Sequence, residues 1–429
     1  MVLTRFRGQR GRLRGMLATT KQLIAHVLRR TTFGPFPGQV EAMAPMGVSG
    51  VIDEILSRPP VSLANPPDLS NDSSDAPVKW WLDQMNDREA GIHEKMTWFL
   101  HGIVTISHDK VFWWAVEWEA HKLLRKHALG NYRTMLKKLT VSPAMLVYLD
   151  GSWSTVQGPN ENYSRELQEL FSIGQPLVTE QNVRNGALGL AGWYVDWETA
   201  TAHFIDEPWA SLRSNQKVRF LGKQVYRYNE VVDAACDHPA MPRFIAAKLW
   251  YQLVGTKPSA ARLDALAATY RASNLSNRKL VEAIVRDPVF LQKRFTRPRY
   301  PVEWVVAAMT AMGMGTDRQR QVDLLWEMGN LPFYPPSVAG WPVGLRWLSP
   351  AMALIKAAAA VDSPAIAEVA DAPDPIAAAL RRCSIYEVTD RTRSALQLVV
   401  SGPDKLTNPT KRAKVLLALC LASPEFALA

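Results

Sequence analysis

The sequence predicts a mainly α-helical protein: one large multi-helix domain with long ordered loops and at most a small β-hairpin. Three observations carry that prediction. Apolar residues recur at helical spacing along nearly the whole 429-residue chain, as in Leu23, Ile24, Val27 and Leu28. Strand-like alternation is confined to residues 217–228 (KVRFLGKQVYRY). A hydrophobic fraction of 47% supplies a core that a disordered chain lacks.

In chain order, the first helix starts at Thr20. Ser49 to Leu56 predicts a second, with Ser49 at the N-cap, Val51, Ile52 and Ile55 inward, and Pro59 and Pro60 stopping it. Residues 58–77 hold five prolines among Ser, Asn and Asp and predict a surface loop. Three stronger helical patterns follow. Val78 to Met85 opens on Trp80 and Trp81, and Met96 to Ser107 is almost wholly apolar. Val111 to Leu129 aligns Val111, Trp114, Ala115 and Trp118 and stops at Gly130. Residues 131–139 continue the pattern. Further helices are expected at 240–254, 260–285, 301–313 and 410–422. The Ala/Pro/Asp-rich segment 357–375 predicts a hinge before C-terminal helices in 376–429.

Charge divides the chain unevenly. Fifty Lys and Arg face 40 Asp and Glu, yet residues 1–30 hold eight basic residues and no acid. A nearly neutral body therefore follows a basic arm. Residues 1–16 are expected to form a disordered, solvated tail and 17–429 a single domain, with Met16 an alternative start. Binding of nucleic acid or an anionic surface would fall to that tail. No stretch approaches the ~20 apolar residues of a membrane span, and no apolar leader is readable. Cys236, Cys383 and Cys420 are too far apart in sequence for a disulfide framework or a CxxC pair. The expected location is cytoplasmic.

Residues 158–174 (GPNENYSRELQELFSIG) carry the densest chemistry. Pro159 suits the first helical position, Gly158 the cap, and Glu161 the third position, facing the helix dipole. The predicted helix runs to Gly174. Tyr163, Leu167, Leu170 and Phe171 form its apolar face. Asn162, Arg165, Glu166 and Glu169 line the other side, with Glu161 and Arg165 an i, i+4 pair.

The run from Pro143 to Gly174, PAMLVYLD followed by PNENYSRELQELFSIG, resembles the bacterial family called domain of unknown function 1800. HVLRRTTFGP (26–35) resembles that family's N-terminal helix. The stretch from VTEQNV to LAGW (178–193), ending at Trp193, resembles its Thr-Glu-x-x-Val…Thr-Gly-Trp segment. MGNLPFYPPSVAGWPVGLRWLS (328–349) is similar to its Pro-Pro-x-Val-x-Gly-Trp-Pro signature, and LASPEF (421–426) to its ending. The resemblance implies one family-wide helical unit. It also implies a sulfatase-like uncharacterised protein as a partner, although many relatives look exported. Two departures stand out. Ile103 replaces the second histidine of a His-x-His beginning at His101, and residues 207–222 lack the family's His-Asp pair.

Two functions follow from these residues. The first is a hydrolase-like enzyme. Glu166 or Glu169, held by Arg165 and with His101 nearby, would supply general acid/base chemistry in a pocket closed by the Trp341 loop. The second is a non-catalytic binding or scaffold protein with degenerate histidine positions. There Asn160, Glu161, Asn162, Arg165, Glu166 and Trp193 form a structural network. Residues 332–347 (PFYPPSVAGWPVGLRW) either offer Trp341 and Trp347 as stacking faces to a sugar, peptide or aromatic ligand, or plug them into the core. No cofactor is expected. A transition metal would need His101, Glu166 and Glu169, joined by His108 if one helix carried both histidines, but no HExxH is present. GxSxG, GxxxxGK[ST] and GxGxxG are absent too.

Overall fold

The computed structural model describes residues 18–60, 65–348 and 363–429, so the basic tail lies outside the described residues. Helix α1 (Thr20–Thr31) opens on a capping box in which Thr19 and Gln22 bond each other reciprocally. Helices α2 (Gln39–Met43) and α3 (Gly47–Ser57) fold back on it. Ser49 lies inside α3 rather than at its cap. A 3₁₀ turn, Ala44–Met46, runs straight into the helix and leaves Met46 at the cap.

Helices α4 (Ala76–Met85), α5 (Ile92–His101), α6 (His108–Val111) and α7 (Trp114–His127) carry most of the aromatic core. The apolar run 96–107 does not stay helical: α5 ends at His101 and the chain turns at Gly102. The predicted helix 111–129 is broken by Phe112, which takes a left-handed backbone (φ 45°). His101 and His108 therefore sit on different helices. The loop before α4 is pinned from its Asp72 onward. Asp72 Oδ1 accepts from Trp114 N–H, and the Asp72 carbonyl bonds His108 Nε2 at 2.8 Å.

Helices α8 (Tyr132–Thr140), α9 (Pro143–Tyr148), α10 (Asn162–Glu169) and α11 (Glu180–Leu190) follow. Helix α10 is shorter than predicted. Glu161, not Gly158, occupies its cap without a side-chain cap bond, and the chain leaves the helix after Leu170 and reverses at Gly174 (φ 90°). An antiparallel hairpin, β1 (Trp193–Asp196) with β2 (Thr201–Phe204), was not predicted: four-residue strands around a polar turn alternate too briefly to register. The second hairpin, β3 (Val218–Phe220) with β4 (Lys223–Val225), falls in the expected segment.

Helices α12 (Tyr228–Asp237), α13 (Met241–Val254), α14 (Ala260–Ala272), α15 (Asn277–Val285), α16 (Pro288–Gln292), α17 (Pro301–Ala311) and α18 (Arg318–Glu327) complete the middle of the chain. The single pattern 260–285 splits at Asn274 and Leu275, both at positive φ. The C-terminal part holds α19 (Ala365–Ala370), α20 (Pro375–Arg382), α21 (Asp390–Ser401), α22 (Pro409–Ala422) and α23 (Pro424–Ala427). Part of the predicted hinge, 357–362, lies outside the described residues. The rest contains α19, which packs on α22. One contiguous apolar core links Ile24 to Phe426. The protein is thus mainly α, with two small hairpins.

Candidate functional site

The site is built by the loop after α18, which lies across the end of α5. Phe333 N–H donates to His101 Nε2 at 3.2 Å, and the Phe333 carbonyl accepts from His108 N–H at 2.9 Å. Farther along, Val338 O accepts from the Thr105 hydroxyl at 2.6 Å. Gly340 takes φ 81°, and a Cβ there would collide with the Gly102 carbonyl oxygen, so the loop reaches α5 only because this position has no side chain. That approach lays Trp341 on Trp98 in a stacked pair, 4.5 Å between centroids. Trp347 Nε1 ties the loop to itself through Pro342 O at 2.8 Å. Both tryptophans are more than nine-tenths buried.

Trp341 and Trp98 form one wall of a cavity of about 540 Å³. Phe99, Tyr300, Phe244 and Tyr251 add aromatic surface; Lys248, Gln252, Thr256 and Lys257 add polar groups; among the described residues no histidine or carboxylate lines it. Helix α13 places Phe244, Lys248, Tyr251 and Gln252 on this face by its i, i+4, i+7, i+8 spacing. Lys248 Nζ donates to Leu170 O at 2.7 Å and lies over the Phe244 ring. Burial lowers its pKa to about 8. Gln252 donates to the Tyr300 hydroxyl at 2.9 Å, while its Oε1 and the Trp341 Nε1 are buried without partners.

The chain at the end of helix α10 contacts two residues that line this cavity, Lys248 and Phe244. That end supplies the Leu170 carbonyl to Lys248. Just beyond, Gly174 backs onto Phe244 so closely that a Cβ would stand 3.0 Å from the ring. The stretch around α10 and the Pro-Pro-x-Val-x-Gly-Trp loop thus both contact residues that line one pocket.

The residues singled out by sequence divide into separate groups. His101 is sealed among Trp81, Trp98, Phe333 and Trp341, and burial drives its pKa down to about 3. It is a neutral acceptor with its proton on Nδ1. It makes no hydrogen bond or ion pair with Glu166 or Glu169. Glu166 is half-buried; burial, and then Glu169, raise its pKa while Arg165 lowers it. Glu169 stands 3.9 Å from Arg165, whose guanidinium grips Glu180 at 2.8 and 2.9 Å and reaches Glu161 at 3.4 Å. Asn162 donates to Asp150 at 2.9 Å, and Asn160 N–H to the Ser154 hydroxyl at 2.9 Å. Trp193 O accepts from Trp153 N–H at 2.8 Å, and its ring packs on Phe204 and Tyr228. Asn160, Asn162 and Trp193 thus knit the start of α10 to loop 150–154 and the first hairpin. Among the described residues, no group of three or more His, Cys, Asp or Glu is placed to hold a metal ion.

Sequence reasoning missed Lys248 and Gln252. The available signal was a lysine spaced four residues after Phe244 and three before Tyr251 on an otherwise apolar helix.

Fold and site together define a mainly helical protein enclosing an aromatic-walled pocket. Residues 26–428 match the family described as Protein of unknown function (DUF1800), and the chain belongs to that family. No curated protein and no solved structure matches it. Among the described residues, no helix is long and apolar enough to cross a membrane.

Proposed function

We propose that the protein binds a small, largely apolar ligand that combines an aromatic ring with an anionic group. The observation that carries this reading is the cavity, whose walls are aromatic and whose lining includes a half-buried cation with no acidic partner among the described residues. Its volume lies within the range of small-molecule sites, roughly 300–1,000 Å³. The Trp98–Trp341 pair offers a stacking face. Lys248, held by a main-chain carbonyl alone, has two further N–H donors for a carboxylate.

Hydrolase-like chemistry would require an acid/base group at the ligand. Glu166, Glu169 and His101 do not line this cavity, which favours the non-catalytic alternative. The sulfatase-like partner is proposed on the family resemblance alone. A cytoplasmic location is proposed too, and three buried free thiols are consistent with a reducing compartment.

The test is tryptophan-fluorescence titration with 2-naphthoate and with neutral 2-naphthamide. Naphthoate should bind saturably. Lys248→Met should weaken it by roughly 10–100-fold, the range of a charge-assisted bond, and leave the amide nearly unaffected. Absence of saturable binding, or equal loss of both ligands, would overturn the proposal.

A further inference from the structure

Two lysines line the cavity, and their surroundings differ. Lys257 is exposed. Lys248 is half-buried, and its Nζ has the Leu170 carbonyl at 2.7 Å and the Phe244 ring at 4.8 Å for neighbours. Among the described residues no carboxylate bonds or pairs with it. An ammonium so placed has lost water without gaining a counter-charge, which favours the neutral amine.

Loss of the proton leaves no group stranded here. A neutral amine keeps two N–H donors, one of which still serves the Leu170 carbonyl, and it gains a lone pair. The Phe244 face acts the other way and favours the ammonium. The pKa of about 8, which burial sets, leaves both forms present near neutral pH. The ammonium suits an anion; the amine suits an electrophile. Any such electrophile must be flat and apolar, because Trp98, Phe99, Tyr300 and Trp341 wall the space in front of it.

We infer that Lys248 is also a nucleophile that captures aromatic aldehydes as an imine inside this cavity, which rests on the reading of the cavity as a ligand site. The Nζ lone pair attacks the carbonyl carbon, a C–N bond forms, and the carbonyl π electrons pass to oxygen. The oxygen gains a proton as nitrogen loses one, giving a carbinolamine. A further proton from solvent lets that oxygen depart as water and leaves an iminium. Neutral amine, aldehyde and one proton thus give iminium and water, with no oxidant or reductant consumed. The one N–H left on the iminium can still donate to the Leu170 carbonyl, so the bond that orients Lys248 is available before and after capture.

The test incubates the full chain at pH 7.5 with one equivalent of 2-naphthaldehyde and sodium cyanoborohydride, which reduces an iminium to a stable secondary amine. Digestion and mass spectrometry locate the adduct. Lys248 should be modified at least about tenfold more than Lys257, the exposed lysine of the same cavity. No adduct at Lys248, or labelling of Lys257 to an equal or greater extent, overturns the inference. Lys248→Arg keeps a donor for the Leu170 carbonyl but cannot form the imine, and it should lose most of the uptake; a folded variant that takes up as much aldehyde as wild type overturns the inference too. Titration of the wild-type chain with 2-naphthoate separates the two readings. Saturable naphthoate binding without a Lys248 adduct overturns aldehyde capture alone. A Lys248 adduct without naphthoate binding supports capture and removes the anion reading.

Discussion

His101 should make the protein measurably acid-sensitive. Its ring is dry and serves as acceptor for Phe333 N–H, so the folded state resists its protonation and its pKa falls to about 3. In the unfolded chain it titrates near ~6.5. The sign follows: a depressed folded-state pKa contributes stability above pH 6.5 that is lost as pH falls from there toward 3. By linkage the loss is about 1.4 kcal/mol at pH 5.5 and about 2.7 kcal/mol at pH 4.5. His101→Gln isolates this share, because Gln Oε1 can take the place of Nε2 as acceptor and does not titrate. His26 and His121, whose pKa values burial also lowers, titrate in both proteins and largely cancel. Urea unfolding at pH 7.5, 6.5 and 5.5 supplies the numbers. The variant starts less stable through lost ring contacts, but the gap to wild type should narrow by about 1.4 kcal/mol between pH 7.5 and 5.5. A constant gap would show that His101 is not the dry acceptor described, and the account of how the loop is anchored would fail with it.

Three further substitutions probe the frame. Gly340→Ala combines a left-handed backbone with a collision against Gly102; it should cost about 1–3 kcal/mol in urea unfolding and abolish naphthoate binding by lifting Trp341 from Trp98. Glu303→Gln strands Lys95 and Arg297 and should cost about 3–5 kcal/mol. Arg165→Ala, whose partners are solvent-screened, should cost less than about 1 kcal/mol by the same measurement.

The helices were legible where periodicity extended over several turns, as in α1, α13 and α22. Their breaks were less so. Phe112, Asn274 and Leu275 take positive φ, and residue type announces nothing at Phe112 or Leu275. The end of α5 at His101 is the costliest of these misses: a continuous helix would have put His101 and His108 on one face, and the break separates them. Within the site, Trp341 was readable because prolines and glycines mark a rigid aromatic loop. Lys248 was not, since its role depends on Leu170, seventy-eight positions away. The acidic face of α10 suggested chemistry, yet the end of that helix matters to the pocket through a main-chain oxygen, which no side-chain pattern reports.

The Leu170–Lys248 bond bears on how a ligand would be received. Lysine is among the side chains that lose most rotational freedom when fixed, about 1.5–2 kcal/mol. Here that ordering accompanies folding, because the helix end and the Phe244 ring already hold the ammonium at the cavity wall. Arrival of an anion would immobilise nothing further at this residue, so the bond acts as preorganisation. Selection would then fall on the shape and charge of the ligand rather than on any rearrangement of the protein to meet it.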